Sequence, residues 1–125
     1  MNTLGYFEIQ SSDPKRDVNF YQTVFGWKFE KQEFAPIEYY QIKTETLSGG
    51  LLKRPMKTPP MEFGTNAFTC SFQVADFDAT AKKIMDMGGQ VAMPKFGVKN
   101  QRWQGYFIDL DNNVFGIFEL NENAN

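Results

Sequence analysis

The sequence holds 15 Asp and Glu residues and five tyrosines but no histidine, so carboxylates and phenols are its main candidates for proton transfer. The single cysteine, Cys70, cannot form a disulfide within the chain, and it has no histidine to act as its base. Cys70 is therefore predicted to be a small buried residue in a strand. The group of most chemical interest is the carboxylate of Glu8.

Glu8 lies in residues 4–11, whose side chains alternate as in a half-buried strand. Tyr6, Glu8 and Gln10 fall on one side of that strand. A carboxylate on the wall of an aromatic pocket could act as a general base, because desolvation raises the pKa of carboxyl groups. The alternative, which we favour, is an ion pair of Glu8 with a lysine or arginine of a neighbouring strand or of the rim. The sequence leaves both interpretations open.

Arg102 and Trp103 form a second candidate pair on a predicted strand. Together they could offer a cation and a stacking plane to a planar or anionic ligand. The alternative is an exposed arginine beside a partly buried tryptophan with no role in binding.

The elements that must position these residues follow a clear order in the first half of the chain. Asp13 is predicted to cap a helix with Pro14 in its first turn, and Gly26 ends that helix. The predicted strands are residues 4–11 before the helix and residues 27–34, 38–44 and 47–53 after it. The first half is thus a βαβββ module.

The second half repeats this order. Asp76 and Gly89, the predicted cap and end of a second helix, each lie 63 residues after Asp13 and Gly26. The helix runs through Ile84 to Met87. Its strands are predicted at residues 66–75, 90–96, 102–110 and 114–120, with a turn at 111–113. The predicted fold class is α+β, with two tandem βαβββ modules.

The length of 125 residues fits a single domain spanning residues 1–125. Module 1 is predicted at about residues 1–54, a proline-rich linker at about 55–65, and module 2 at about 66–125. A net charge of −2 with scattered basic residues argues against a nucleic-acid partner. The sequence shows no signal peptide and no membrane-spanning run, so we expect a cytoplasmic protein without a membrane partner.

Four segments give the chain a resemblance to a known family, and they occur in the order FEIQSSDPKRDVNFYQTVFGW, SGGLLKRP, FQVADFDATAKKIMDMGGQV and GYFIDLDNNVFGIFEL. Nearly the whole chain resembles the vicinal oxygen chelate superfamily, which includes glyoxalase I, bleomycin resistance proteins and extradiol dioxygenases. The resemblance implies that the two modules form a cup-shaped mixed sheet with the helices outside. It also implies a small-molecule ligand inside the cup and a homodimer.

The family holds a divalent metal with side chains from the first and last strands of each module, and the metal acts as a Lewis acid. The matching positions in this chain are Tyr6, Thr69, a site near Gly50 and a site near Gly116. None of these is a normal metal ligand, because tyrosine and threonine are weak ligands and glycine has no side chain. We therefore expect no metal and no cofactor. If the match slips by one or two residues, Glu119 is the nearest carboxylate.

The lining of such a cup follows from strand alternation. If Tyr6 faces inward, so do Glu8 and Gln10, and the same rule applies in module 2. The predicted ligand-binding residues are Tyr6, Glu8, Gln10, Leu52, Thr69, Ser71, Gln73, Trp103 and Phe118. They would form an apolar and aromatic pocket with a few polar groups, as is usual for small-molecule sites.

Three functions fit these features. The first is a metal-free protein that binds a small aromatic or amphipathic molecule, as the resemblance to bleomycin resistance proteins implies. The second is an enzyme of the same superfamily, either a metal-free lyase or isomerase that uses Glu8 as a base, or a tyrosine, or a metalloenzyme with unconventional ligands. The third is an interaction module whose functional part is its dimer surface.

Overall fold

The computed structural model of the protein describes residues 4–33, 35–54 and 69–125. The chain divides into two compact units, Met1–Pro55 (unit 1) and Met56–Asn125 (unit 2). The elements described in unit 1 are β1 (Tyr6–Ser11), α1 (Pro14–Phe25), β2 (Lys28–Lys31), β3 (Tyr39–Lys43) and β4 (Ser48–Lys53). Those in unit 2 are β5 (Ser71–Gln73), α2 (Phe77–Asp86), β6 (Gln90–Val98), β7 (Arg102–Ile108) and β8 (Val114–Leu120).

Each unit forms one mixed four-stranded sheet. The strand order is β1-β4-β3-β2 in unit 1 and β5-β8-β7-β6 in unit 2. The first strand of each unit is parallel to the last, and the other pairs are antiparallel. The helix of each unit lies outside its sheet. The α+β class and the βαβββ order predicted for both halves are confirmed.

The helix ends follow the predicted capping residues. Asp13 Oδ1 accepts a hydrogen bond from the Arg16 backbone N–H at 3.4 Å, and Asp76 Oδ1 accepts one from the Ala79 N–H at 3.0 Å. These bonds satisfy N–H groups that have no partner inside the helix. Gly26 ends α1 in the left-handed conformation with a φ of 71°, which a glycine adopts without steric cost.

Apolar residues on the helix and on one face of the sheet form the core of each unit. In unit 1 the buried set includes Ile9, Phe20, Tyr21, Val24, Ile42 and Leu51. In unit 2 it includes Phe77, Ile84, Phe107, Phe115 and Ile117. The rings of Tyr21 and Trp27 also stack in unit 1, with centroids 5.7 Å apart and planes 3° from parallel.

Several strand boundaries differ from the prediction. β2 ends at Lys31 because a turn follows, in which the Ala35 N–H donates to the Gln32 carbonyl. β6 continues through Pro94 to Val98 because it is an edge strand, where a missing N–H costs no ladder bond. β7 ends at Ile108 because the Asp109 carboxylate accepts the backbone N–H groups of Asp111 and Asn113 and begins the turn.

Two predicted features fall wholly or partly outside the described residues. The linker predicted at residues 55–65 lies outside them, as do the first three residues of the strand predicted at 66–75. Within residues 4–33, 35–54 and 69–125, no helix is both long and apolar enough to cross a bilayer.

The left-handed residue at the end of α1 predicts a stability change. Gly26→Ala should lower the free energy of unfolding by about 1–2 kcal/mol, because a Cβ is disfavoured at positive φ. No atom lies within 4 Å of the added Cβ, so the loss of stability would come from the left-handed backbone and not from a steric clash. Gly5→Ala is the matched control, since the space there is equally open and its φ is not in the left-handed range. Urea denaturation measures both variants, and equal losses would contradict the prediction.

Candidate functional site

Each sheet has one face against the helix of its own unit and one face turned away from it, which we call the distal face. In unit 1 the helix side is identified by Ser11, whose hydroxyl donates a hydrogen bond of 2.5 Å to Asp17 of α1. Ile9 and Ser11 are buried on that side, as the alternation of β1 predicts. The distal face of β1 therefore carries Tyr6, Glu8 and Gln10.

Strands β3 and β4 complete the distal face of unit 1. Glu8 is in register with Gly50, and Gln10 with Leu52. On the other side of β4, Tyr39 lies opposite Leu52. Residues in register share a face of the sheet. The structure thus brings together Tyr6, Glu8, Gln10 and Leu52, as predicted, and adds Tyr39.

Two phenols meet above Gly50 at the centre of this face. The Oη atoms of Tyr6 and Tyr39 are 2.5 Å apart, and Tyr6 Oη donates to Glu8 Oε2 at 3.1 Å. An ionised carboxylate can only accept hydrogen bonds, and each phenol has a single proton. Tyr6 therefore donates to Glu8, and Tyr39 donates to Tyr6. A Cβ at Gly50 would collide with both phenol oxygens.

This network keeps the proton on Tyr6. Partial burial raises the pKa of the Tyr6 phenol well above its ordinary value, and the hydrogen-bonded neighbours Tyr39 and Glu8 raise it further. Loss of the proton would place a phenolate beside a carboxylate, which is unfavourable. Burial and then the hydrogen bond to Glu38 also raise the pKa of Tyr40, the next residue along β3, which faces the helix side.

The structure shows which partner Glu8 has. Its side chain is exposed and accepts the hydrogen bond from Tyr6. No lysine or arginine pairs with Glu8 in the described parts of the chain, so the expected ion pair is not formed there. An ion pair on the same sheet instead joins Lys43 to Glu30, with Nζ and Oε2 3.4 Å apart. The role of Glu8 as a base stays a prediction.

The distal face of unit 2 is defined in the same way. The helix side is identified by Gly105, where a Cβ would lie 2.7 Å from the Phe77 ring of α2. On the opposite face, Ser71 is in register with Gly116 and Gln73 with Phe118. Strand β7 adds Gln104, opposite Phe118, and Tyr106, opposite Gly116. Ser71, Gln73 and Phe118 therefore share a face, as predicted.

Two polar side chains also meet above Gly116. Gln104 Nε2 donates a hydrogen bond of 3.1 Å to Ser71 Oγ. A Cβ at Gly116 would collide with both groups. Gln104 is 2% exposed, so surrounding atoms hold its amide in place. In each unit, a polar side chain of the first strand is thus bonded to one of the third strand across a glycine of the fourth.

These residues do not fit the divalent metal of the resembled family. Gly50 and Gly116 have no side chain to act as a metal ligand. Hydrogen-bonded neighbouring side chains also occupy the space where such a ligand would lie. Thr69 is exposed and precedes β5. Glu119, the fallback carboxylate, accepts the backbone N–H of Phe77 at 2.8 Å and so helps to cap α2. Among the described residues there is no cluster of three His, Cys, Asp or Glu side chains.

Three sequence-level expectations change in unit 2. Arg102 and Trp103 lie on opposite faces, because adjacent strand residues alternate. Trp103 is on the helix side, where Lys95 Nζ lies 4.6 Å from its ring centroid and 5.4 Å from that of Phe77. Trp103 is therefore not grouped with the other predicted ligand-binding residues. Cys70 is exposed and precedes β5, so its prediction as a buried strand residue is wrong.

Comparison with known sequences supports a family relationship. Residues 3–117 match the sequence model of the Glyoxalase/Bleomycin resistance protein/Dioxygenase superfamily. CFP32 of Mycobacterium bovis and of Mycobacterium tuberculosis, provisionally named a glyoxylase, is 25% identical over 121 residues. The match covers 95% of this chain and 46% of each mycobacterial protein, so the chain spans less than half of their length.

Solved structures share the fold. A glyoxalase/bleomycin resistance protein/dioxygenase family enzyme from Burkholderia phytofirmans is 20% identical, covers 94% of this chain and 98% of its own, and gives a TM-score of 0.72. A variant of the fosfomycin resistance protein FosX from Listeria monocytogenes, in complex with Mn(II) and 1S,2S-dihydroxypropylphosphonic acid, is 16% identical. That match covers 97% of this chain and 94% of FosX, with a TM-score of 0.77. At these identities the likeness concerns the fold alone.

The phenol network predicts a shift in a tyrosine titration. Glu8→Gln should lower the pKa of Tyr6 toward its ordinary value, because it removes the carboxylate charge that opposes phenolate formation. Absorbance at alkaline pH follows the ionisation of the five tyrosines, and Tyr6→Phe identifies the contribution of Tyr6.

Glu30→Gln is the matched control for that titration, since Glu30 lies on the same sheet and pairs with Lys43. Tyr6 keeps its proton longer in the folded chain than in the unfolded one, so its contribution to stability is complete below the unfolded pKa and is lost as the pH rises above it. An unchanged titration in Glu8→Gln would refute the network.

Proposed function

Because the chain belongs to the Glyoxalase/Bleomycin resistance protein/Dioxygenase superfamily, we propose that it binds a small aromatic or amphipathic molecule without a metal centre. Each distal face by itself carries groups suited to binding such a molecule. Tyr6, Glu8, Gln10, Tyr39 and Leu52 serve in unit 1. Ser71, Gln73, Tyr106 and Phe118 serve in unit 2, where the buried Gln104 amide holds the Ser71 hydroxyl in place.

One observation supports this proposal above the others. In both units, hydrogen-bonded side chains fill the positions where the family pattern places metal ligands, above Gly50 and Gly116. Hydrogen-bonding groups that are already held in place lose little freedom when a ligand binds. These residues are therefore better suited to recognise a small molecule through fixed polar groups than to chelate a metal ion.

The composition of the distal faces also suits a small ligand. Small-molecule sites combine apolar and aromatic surface with a few fixed polar groups. In unit 2 the Tyr106 ring stacks on Phe96 with centroids 6.4 Å apart, and Phe118 lies on the same face. In unit 1, Tyr39 lies opposite Leu52, and its phenol oxygen meets that of Tyr6. Aromatic rings of a ligand could stack on these surfaces.

The Mn(II) found with FosX belongs to that protein. This chain shares its fold, but the positions that match the family's metal ligands are Tyr6, Gly50, Thr69 and Gly116. Our proposal therefore assigns no step to a metal ion. Instead, the phenol and carboxylate on β1 are the polar binding groups of the unit 1 face, and the Ser71 hydroxyl is that of the unit 2 face.

Binding can be tested with two neighbouring tyrosines that face opposite ways. Tyr39 lies on the distal face, whereas Tyr40 faces the helix side. Compounds that raise the melting temperature are first selected from benzoate, benzamide, indole and 2-naphthol and their close analogues. Tyr39→Phe should weaken their binding by about fivefold to tenfold, because it removes one hydroxyl from the site. Tyr40→Phe should change it by less than about twofold.

Calorimetric titration of both variants measures these affinities. Equal effects of the two substitutions would contradict a site on the distal face. Elemental analysis of the purified protein addresses the metal-free part of the proposal. Ni, Zn, Mn or Fe near one atom per chain would overturn that part, even if the ligands bind.

A second function, a lyase or isomerase, is favoured by one observation. The Glu8 carboxylate is exposed and has no basic partner among the described residues, and Tyr6 beside it holds a proton. A base and an acid on one face could move a proton between two carbons of a bound carbonyl compound. Glu8 would take the proton from one carbon and return it to the other. Once Glu8 is protonated it no longer accepts the Tyr6 hydrogen bond, so Tyr6 would donate that bond to the substrate oxygen.

This second function predicts proton exchange with solvent. In D2O, a bound carbonyl ligand should gain deuterium next to its carbonyl carbon, which proton NMR detects. Glu8→Gln should slow the exchange by about a hundredfold or more, because it removes the base. Glu30→Gln should leave the rate unchanged. Exchange that persists in Glu8→Gln, or that is absent in the native chain, would exclude Glu8 as the base and leave binding as the function.

A further inference from the structure

Arg102 places a cationic group on the distal face of unit 2. It begins β7 and lies between Val98 of β6 and Leu120 of β8. Its guanidinium carbon is 5.3 Å from the centroid of the Phe118 ring. Leu120 is 61% exposed, so an accessible apolar surface lies beside the cation.

The guanidinium lacks the partners that such a group normally has. Its Nε is buried and makes no hydrogen bond within the described residues. None of the ion pairs found in those residues includes Arg102. A buried donor without an acceptor lowers the stability of the folded chain. The cation–π contact at this partly exposed site offsets only part of that loss. Among the described residues, therefore, no hydrogen bond or ion pair accounts for an arginine at this position.

We propose that Arg102 binds the oxyanion of a small organic acid, a carboxylate, phosphonate or phosphate. The apolar part of that ligand lies against Phe118 and Leu120. This inference rests on the proposed binding function and narrows its ligand class from aromatic or amphipathic molecules to anionic ones.

The surroundings of Arg102 favour an anion over a neutral ligand. The planar guanidinium presents several N–H donors that match the two oxygens of a carboxylate or phosphonate. Apolar side chains on both sides lower the local dielectric constant, which strengthens a charge-assisted hydrogen bond. The same apolar groups would bury the hydrocarbon part of the ligand.

The test compares benzoate and phenylphosphonate with benzamide, their neutral analogue, by calorimetric titration. Arg102→Met keeps a long side chain but removes the charge and its donors. It should weaken binding of both anions by about tenfold or more and change benzamide binding by less than about twofold. Arg102→Lys keeps the positive charge but lacks the paired N–H donors of the guanidinium. Its affinity for the anions should lie between those of Arg102→Met and the native chain.

Lys99→Met is the matched control, because it removes the same charge from an exposed residue in the turn before β7. It should leave all three affinities unchanged. Without ligand, Arg102→Met should melt at the same temperature as the native chain or higher, since it removes a buried unpaired donor. If Arg102 stabilised the fold, Arg102→Met would instead melt at a lower temperature than the native chain.

The outcomes separate this inference from the proposed function. If benzamide binds as well as benzoate and Arg102→Met changes neither affinity, the inference is overturned while the binding function stands. If no member of the compound panel binds, the proposed function fails and this inference fails with it. If Lys99→Met weakens the anions as much as Arg102→Met, general charge attraction explains the binding and the inference is overturned.

Discussion

At the centre of each distal face, one strand residue must have no side chain. Gly50 and Gly116 occupy equivalent places on the last strand of their units, and a Cβ at either would collide with two polar side chains. Those side chains come from the first and third strands and meet because the glycine between them leaves room. Glycine costs backbone entropy inside a strand, so its use here follows from the close approach that the hydrogen bonds require.

This constraint links the fold to the function. A sheet position that needs a glycine cannot also provide a metal ligand, so the residues on these faces do not fit the metal chemistry of the family. The same glycines allow Tyr6 and Tyr39, or Ser71 and Gln104, to form fixed polar groups on an otherwise aromatic surface. Fixed donors and acceptors of this kind recognise a ligand at low entropic cost.

The two faces of each sheet have different tasks. The helix side supplies the stability, because it buries the large apolar residues together with the bonds from Ser11 to Asp17 and from Phe77 to Glu119. The distal side keeps exposed carboxylate and hydroxyl groups and a guanidinium with a buried, unpaired Nε. Stability is often lower where activity needs such groups, and in our proposal the ligand is the partner that the guanidinium lacks.

The sequence by itself determined the features that depend on near neighbours. The caps Asp13 and Asp76, the helix end at Gly26, the βαβββ order and the placement of Tyr6, Glu8 and Gln10 on one side of β1 all follow from patterns within about ten residues. The tertiary structure alone decided which distant residues meet. Tyr39 reaches Tyr6 across 33 positions, Trp103 turns toward α2, and Glu119 caps that helix. These contacts depend on strand register and on which face receives the helix, and both are fixed by packing between segments far apart in the chain.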